Sequence, residues 1–529
     1  MFDYLIRGGI LVDGSGAAPI PGDLAIQGGR IAALGNLTGA PAKTVIEAGG
    51  RYVTPGFIDI HRHADAAVFR EGFGRLELKQ GLTTIVNGNC GLSVAPCEGA
   101  FAAQVRRYLT PVTGAPDEKI PVGTMGEYLA AVRGEKLPVN IGMLVGGGSI
   151  RAMCAGYETV SLSDGELSAI RRSLEGSLAD GALGVSLGLG YAPECFYSTQ
   201  ELIAALQPLK NSGVPVTVHM RQEGSGVVGA LEEMLQVARA LNTPVEISHL
   251  KSIGKANWKK TTPKMLRLMK QARAEGVDIA CDAYPYTAGS TQLIHILPPE
   301  CQTGGLEELS RNLWKPAFRE NLRRRMLTGE DFENISLLVG WENIVASSIR
   351  PGKNKPLEGK SIAEMAELLQ KDPFDTVFDL LAEEHCDVTM IDFVAAEDDI
   401  CAILRDRDTC VISDSTYPTT GMLHPRVYGT YARLLERYVR ERKVLTIQQA
   451  VEKVTSRPAA RMGLRGKGKL IPGYDADVLI FGLDRIHEEG SYQEPAKFAS
   501  GFDYVFVNGV PAIAEGSFTE SRSGKVVAR

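Results

Sequence analysis

The chain has 529 residues, several times a minimal domain, so one large core with a smaller companion domain is the expected organisation. Hydrophobic residues at 44% and charged residues at 23% are ordinary for a folded protein, and a formal charge of −6 with no basic stripe argues against a nucleic-acid partner. The opening MFDYLIRGG lacks the cationic and apolar build of a signal, no apolar run approaches the roughly 20 residues of a spanning helix, and nine scattered cysteines argue for reduced thiols, so a cytoplasmic protein is expected.

Taken in chain order, FDYLIRGGILVDGSG and GDLAIQGGRIAALG read as strand pairs punctuated by glycine turns. From about Phe57 to Asp414, short β-branched runs alternate with amphipathic stretches, the pattern of βα units around a parallel sheet. Eight such runs occur: GFIDIH ending at His61, TTIVNGN near Val86, VNIGMLVG near Leu144, GALGVSLG near Ser186, PVTVHM near His219, PVEISHL near His249, DIACDAYP near Asp282 and DTCVISD ending at Asp414. Between the third and fourth, Leu167, Ile170, Leu174 and Leu178 recur at helical spacing and predict a helix over Asp164 to Asp180. Eight units of this kind predict an α/β fold, a TIM (β/α)8 barrel. The stretch from about Thr291 to Glu397 is far longer than a normal βα loop and has its own helical pattern, so it reads as an inserted lid or subdomain. At the far end GYDADVLIFG and FDYVFVNGVPAIAEGSF are again strand pairs. The expected organisation is therefore a small β-sandwich from 1–54 plus 467–529, a barrel over 55–466 and an insertion over 291–397.

The chemistry concentrates at the ends of the strand runs. Alternate residues of a strand share a face, so His61 and His63 can reach one ion. His219 and His249 end two further runs and Asp414 ends the eighth, and TIM-barrel active sites lie at the C-terminal ends of the strands. Cys90, in NGNCGLSVAP, adds a thiolate candidate flanked by glycines. Imidazoles, a thiolate and a carboxylate together favour zinc over magnesium or calcium. The expectation is one tight zinc held by Cys90, His219 and His249, with His61, His63 and Asp414 supporting a second, weaker site or orienting water. His295 follows the seventh run closely enough to approach a substrate. His385 and His487 have no companions and read as surface or packing residues.

At this point TPGFIDIHRH, GNCGLSVAP, GALGVSLGLGYAP, HMRQEG, EISHLK, YPYTAGST and HPRVYGTYARLLERYV resemble the D-aminoacylase branch of the amidohydrolase superfamily, which includes N-acyl-D-glutamate and N-acyl-D-aspartate deacylases. The likeness spans nearly the whole chain. It implies a barrel with a small β-sandwich, zinc on Cys90, His219 and His249, and Asp414 as the catalytic carboxylate. It also implies a clamp for the substrate α-carboxylate made by Arg426, Tyr284 and Ser290, in which a guanidinium fork meets a carboxylate bidentately. Tyr191 in GLGYAP and Lys251, two residues beyond His249, are further substrate-side candidates; Lys251 reads equally as a structural ion pair. Two departures stand out: Arg62 occupies the place between the histidines where relatives carry a small hydroxylated residue, and Gly147 stands where they read a histidine between glycines. Arg62 is expected to face away from the ions.

The resulting expectation is hydrolysis of the amide of an N-acyl-D-amino acid to a carboxylate and a free D-amino acid. Zinc would bring a water pKa towards about 7 and polarise the carbonyl, while Asp414 would take the water proton and pass it to the leaving amine. The D configuration rests on the resemblance alone. Rivals are a peptidase releasing a C-terminal D-residue, a cyclic amidase of the hydantoinase or dihydroorotase type, and a catalytically dead scaffold. Cyclic amidases commonly use a carboxylated lysine at the fourth strand, where GALGVSLG has none, and a dead scaffold would be expected to lack ligands that are all present here.

Overall fold

The computed structural model describes residues 1–329, 332–418 and 420–528. Its centre is eight parallel strands in sequence order, Phe57–Asp59, Leu82–Asn87, Asn140–Gly146, Gly184–Gly188, Val216–His219, Val245–Ile247, Ile279–Ala283 and Thr409–Val411, here called barrel strands 1 to 8. All eight predicted runs form strands, and every residue in them is buried, because helices cover the outer face and side chains fill the interior. Strands 1 and 8 end two or three residues short of His61 and Asp414, so those side chains stand on the loops just beyond the sheet. The ring is closed there: His63 N–H donates to the Ser415 carbonyl at 3.0 Å and Asp414 N–H to the His61 carbonyl at 3.0 Å. The helix predicted after the third strand spans Asp164–Ala179, started by a capping box in which Ser163 and Glu166 satisfy each other's backbone N–H groups.

Both chain ends meet in one nine-stranded sheet beside the barrel. Tyr52–Pro55 pairs antiparallel with Val478–Phe481, which joins the N-terminal strands to the C-terminal ones. Tyr4 and Phe506 lie on strands three places apart in this sheet, about 14 Å if it were flat, yet their ring centroids are 5.1 Å apart. The sheet therefore folds over on itself and encloses its own core of Ile6, Leu24, Ile26, Val53, Val478, Ile480 and Phe506. Asn508 and Gly509, with φ of 47° and 81°, form a two-residue hairpin link that only residues tolerant of left-handed backbone can make.

Between barrel strands 7 and 8 lies a three-stranded antiparallel sheet of Ala288–Gln292, Thr389–Phe393 and Ile344–Ser348, with Thr389–Phe393 in the middle. Helices such as Pro316–Thr328, Ile362–Leu369 and Pro373–Glu383 accompany it. Among the described residues no helix is long and apolar enough to cross a membrane.

Candidate active site

The six residues singled out as metal candidates come together at the C-terminal ends of barrel strands 1, 2, 5, 6 and 8. Cys90 Sγ lies 3.2 Å from His61 Nε2 and 3.5 Å from His249 Nε2, and His249 Nε2 lies 3.1 Å from His219 Nδ1. Asp414 Oδ1 stands 3.4 Å from His61 Nε2 and 3.3 Å from His63 Nε2. Cys90, His249 and Asp414 have φ of 53°, 36° and 52°, a left-handed backbone that costs a side-chain-bearing residue about 1–3 kcal/mol. Such strain persists where packing over-determines the position, and here it falls on three of the six candidate donors.

Two overlapping donor sets result, Cys90 with His219 and His249, and His61, His63 and Asp414 with Cys90, each with its ligand atoms within 4.8 Å of one another. The residues fit a metal on three further grounds. Burial pushes His61 down to about 3 and lowers His219 and His249 as well, so the imidazoles are neutral, the form that ligates. Nδ1 of His63 is buried without a hydrogen-bond partner. Burial drives the Cys90 thiol well up, and the Asp414, Asp282 and Glu223 carboxylates add to it, so a cation is what would make it a thiolate. Mixed sulfur, nitrogen and oxygen donors of this kind suit zinc.

Burial alone would raise the Asp414 carboxyl, but the Arg426 guanidinium, helped by the hydrogen bond from His63, overcomes it and holds the group well below the usual carboxylate range. Arg426 Nη1 is 3.0 Å from Asp414 Oδ2, as an ion pair rather than an aligned hydrogen bond, and its Nη2 donates to the Ser290 carbonyl at 3.0 Å. The guanidinium also lies over the Tyr284 ring at 4.8 Å. Tyr284, Ser290, Lys251, Tyr191 and His295 line one pocket with His219, His249 and Asp414. Cys90, His61, His63 and Arg426 stand behind that lining. Tyr191 is sandwiched between His219 and His295, each centroid 4.2 Å away. Lys251 Nζ is 2.6 Å from Glu223 Oε1, so the ion-pair reading of this lysine applies even though it lines the pocket. His385 is exposed and His487 is half exposed, bonded to Glu436 at 2.8 Å.

Arg62 is fully buried and points away from the donors. Its Nη1 donates to Asp59 at 3.2 Å and Ser413 at 3.1 Å, and its Nη2 to Glu77 at 2.9 Å and to the Tyr417 hydroxyl. This network spans the barrel seam from strand 1 to strand 8. At Gly147, a Cβ would stand 2.6 Å from Glu194 Oε1 and 2.9 Å from Leu187 Cδ2, so the Glu194 side chain fills the space an imidazole would need.

Sequence reasoning passed over three supporting residues. Glu223 accepts from the His249 ring at 3.0 Å and fixes which nitrogen faces the donor set. Asp282 Oδ2 lies 3.5 Å from His61 Nδ1 while its other oxygen accepts the His249 N–H at 2.5 Å. His424 accepts the Arg426 N–H at 2.9 Å and is itself 3.1 Å from the Ala288 carbonyl. Glu223 and His424 sit inside the HMRQEG and HPRVYGT motifs, four residues after His219 and two before Arg426, which was the available signal.

Residues 52–286 and 340–512 match profiles described as the amidohydrolase family. A D-aminoacylase of Alcaligenes xylosoxydans xylosoxydans is 33% identical over 100% of this chain and 98% of its own, and an N-acyl-D-glutamate deacylase of the same organism is 30% identical over 100% and 96%. Among solved structures, the N-acyl-D-glutamate deacylase of Bordetella bronchiseptica, complexed with zinc and a phosphonate inhibitor, superposes with a TM-score of 0.85 at 29% identity over all of both chains. A D-aminoacylase studied for its binuclear metal centre gives 0.84 at 30%, again over all of both chains. An L-hydantoinase of Arthrobacter aurescens, at 0.57 and 17%, shares the fold alone. The chain belongs to the amidohydrolase family, in the branch of the D-aminoacylases and N-acyl-D-amino-acid deacylases.

Proposed function

We propose that this protein hydrolyses the amide bond of small N-acyl-D-amino acids, with zinc on Cys90, His219 and His249 and a weaker second position framed by His61, His63 and Asp414. The observation that carries the reading is Asp414, held between two imidazoles and a guanidinium at a pocket walled by His219 and His249. When bound, zinc acidifies water and polarises the scissile carbonyl. Asp414, kept ionised by Arg426, accepts a proton from the attacking water and returns it to the amine nitrogen as the C–N bond breaks, leaving a carboxylate and a free D-amino acid. Tyr284 and Ser290 at the pocket wall take the substrate α-carboxylate, with the Arg426 guanidinium behind them supplying the positive charge, which holds the amide over Asp414. Tyr191 and His295 form an aromatic wall against which the acyl group packs. The segment 291–397, whose strands contribute to the pocket, serves as a lid. The scattered cysteines support a cytoplasmic location.

The test is release of free amine from N-acetyl-D- and N-acetyl-L-amino acids by zinc-loaded enzyme. Selective cleavage of D-substrates is expected. No cleavage by enzyme carrying stoichiometric zinc overturns the reading in favour of D-peptides, which need the same carboxylate clamp.

A further inference from the structure

Part of the pocket wall comes from the segment between barrel strands 7 and 8, and it brings carboxyls that no step above uses. Asp392 sits on the central strand of the three-stranded sheet, directly opposite Gly289, and its alternate neighbour Val394 lines the pocket with it. The side chain is buried, and Oδ1 has no hydrogen-bond partner. A Cβ on Gly289 would stand 2.9 Å from that oxygen and 3.2 Å from the Tyr284 hydroxyl, so the bare glycine is what leaves the Asp392 carboxyl room beside the carboxylate clamp. Glu333 joins the same lining, with its carboxyl on the backbone N–H groups of Glu223 and Gly224.

Each neighbouring cation makes its close ion pair with another carboxylate. Lys251 is 2.6 Å from Glu223, Arg221 is 3.0 Å from Glu233, and Arg426 is 3.0 Å from Asp414. Asp392 therefore keeps one carboxyl oxygen unpaired at the pocket wall, with Glu333 beside it in the same lining. A carboxylate brought there meets like charge in a desolvated site, whereas a hydrogen-bond donor satisfies an otherwise unpaired oxygen.

We propose that Asp392 sets the side-chain preference of this enzyme, accepting a hydrogen bond from N-acyl-D-amino acids that carry an amide, hydroxyl or ammonium group and disfavouring those that end in a carboxylate. The inference rests on the deacylase reading above.

It is tested by kcat/KM for N-acetyl-D-asparagine, -glutamine, -serine and -lysine against N-acetyl-D-aspartate and -glutamate, in the wild type and in Asp392→Asn, which keeps the shape of the side chain. The wild type is expected to favour the donor group by at least about tenfold, and Asp392→Asn to shrink that ratio about tenfold, mainly through KM. Gly289→Ala, which crowds the same oxygen, should shrink it in the same direction. Acidic substrates cleaved as fast as their amides, or a ratio unmoved in both variants, overturns the inference and leaves the deacylase intact. No turnover of any N-acetyl-D-amino acid overturns the deacylase reading and this inference with it.

Discussion

Arg62→Ala removes the one cation from a buried set in which Asp59 and Glu77 are fully enclosed. Four polar contacts disappear, and two carboxyls are left without their shared guanidinium. Breaking a buried ion pair from one side costs about 3–5 kcal/mol. Unfolding entropy near 2.1 cal/mol/K per residue gives about 1.1 kcal/mol/K for 529 residues. The expected fall in Tm is therefore about 3–5 °C if the chain unfolds cooperatively. Because Ser413 and Tyr417 flank Asp414, the loss should also appear as reduced kcat with less change in KM. Arg62→Lys keeps the charge but not the fork and should fall in between. Differential scanning calorimetry with parallel kinetics is the assay. A Tm within about 1 °C of wild type, with normal kcat, would refute the view that this network holds the barrel seam and the strand 8 loop in place.

Asp414→Asn should keep most of its zinc, measured by elemental analysis, while kcat drops by about 10^2–10^4, the usual worth of a positioned acid–base group. Cys90→Ser should lose stoichiometric zinc after dialysis, because Cys90 belongs to both donor sets. Gly147→Ala should lower stability by about 1–3 kcal/mol through overpacking against Glu194 and Leu187, and Glu194→Ala in the same chain should relieve it, read by a double-mutant melt. Burial raises Glu194 to about 7, above its ordinary 4.5, so the folded state holds its proton more tightly than the unfolded one. Stability from this group is present below about pH 4.5 and is lost as pH rises through about 7. Glu194→Gln should therefore raise Tm relative to wild type at pH 8 and bring no such gain at pH 5, compared in matched melts.

What the sequence determined by itself was everything encoded by local periodicity. The eight barrel strands were legible because runs such as PVTVHM and DIACDAYP are buried on both faces and leave no alternation to misread. The donors were legible because His61, His63, His219, His249 and Asp414 each close or follow such a run, and the fold sends every run end to the same rim. The capping box at Ser163 and the Asn508–Gly509 turn are likewise written in adjacent residues. Only the tertiary structure could decide which distant groups share a charge. Arg62 meets Glu77, Ser413 and Tyr417 across the closing seam, and Arg426 meets Asp414. Asp392 reaches the pocket because its strand lies opposite Gly289, more than a hundred residues earlier. Periodicity reports which face a residue takes within its own element, whereas these contacts depend on ring closure and on how an inserted sheet lies over the barrel mouth, which no short stretch of chain contains.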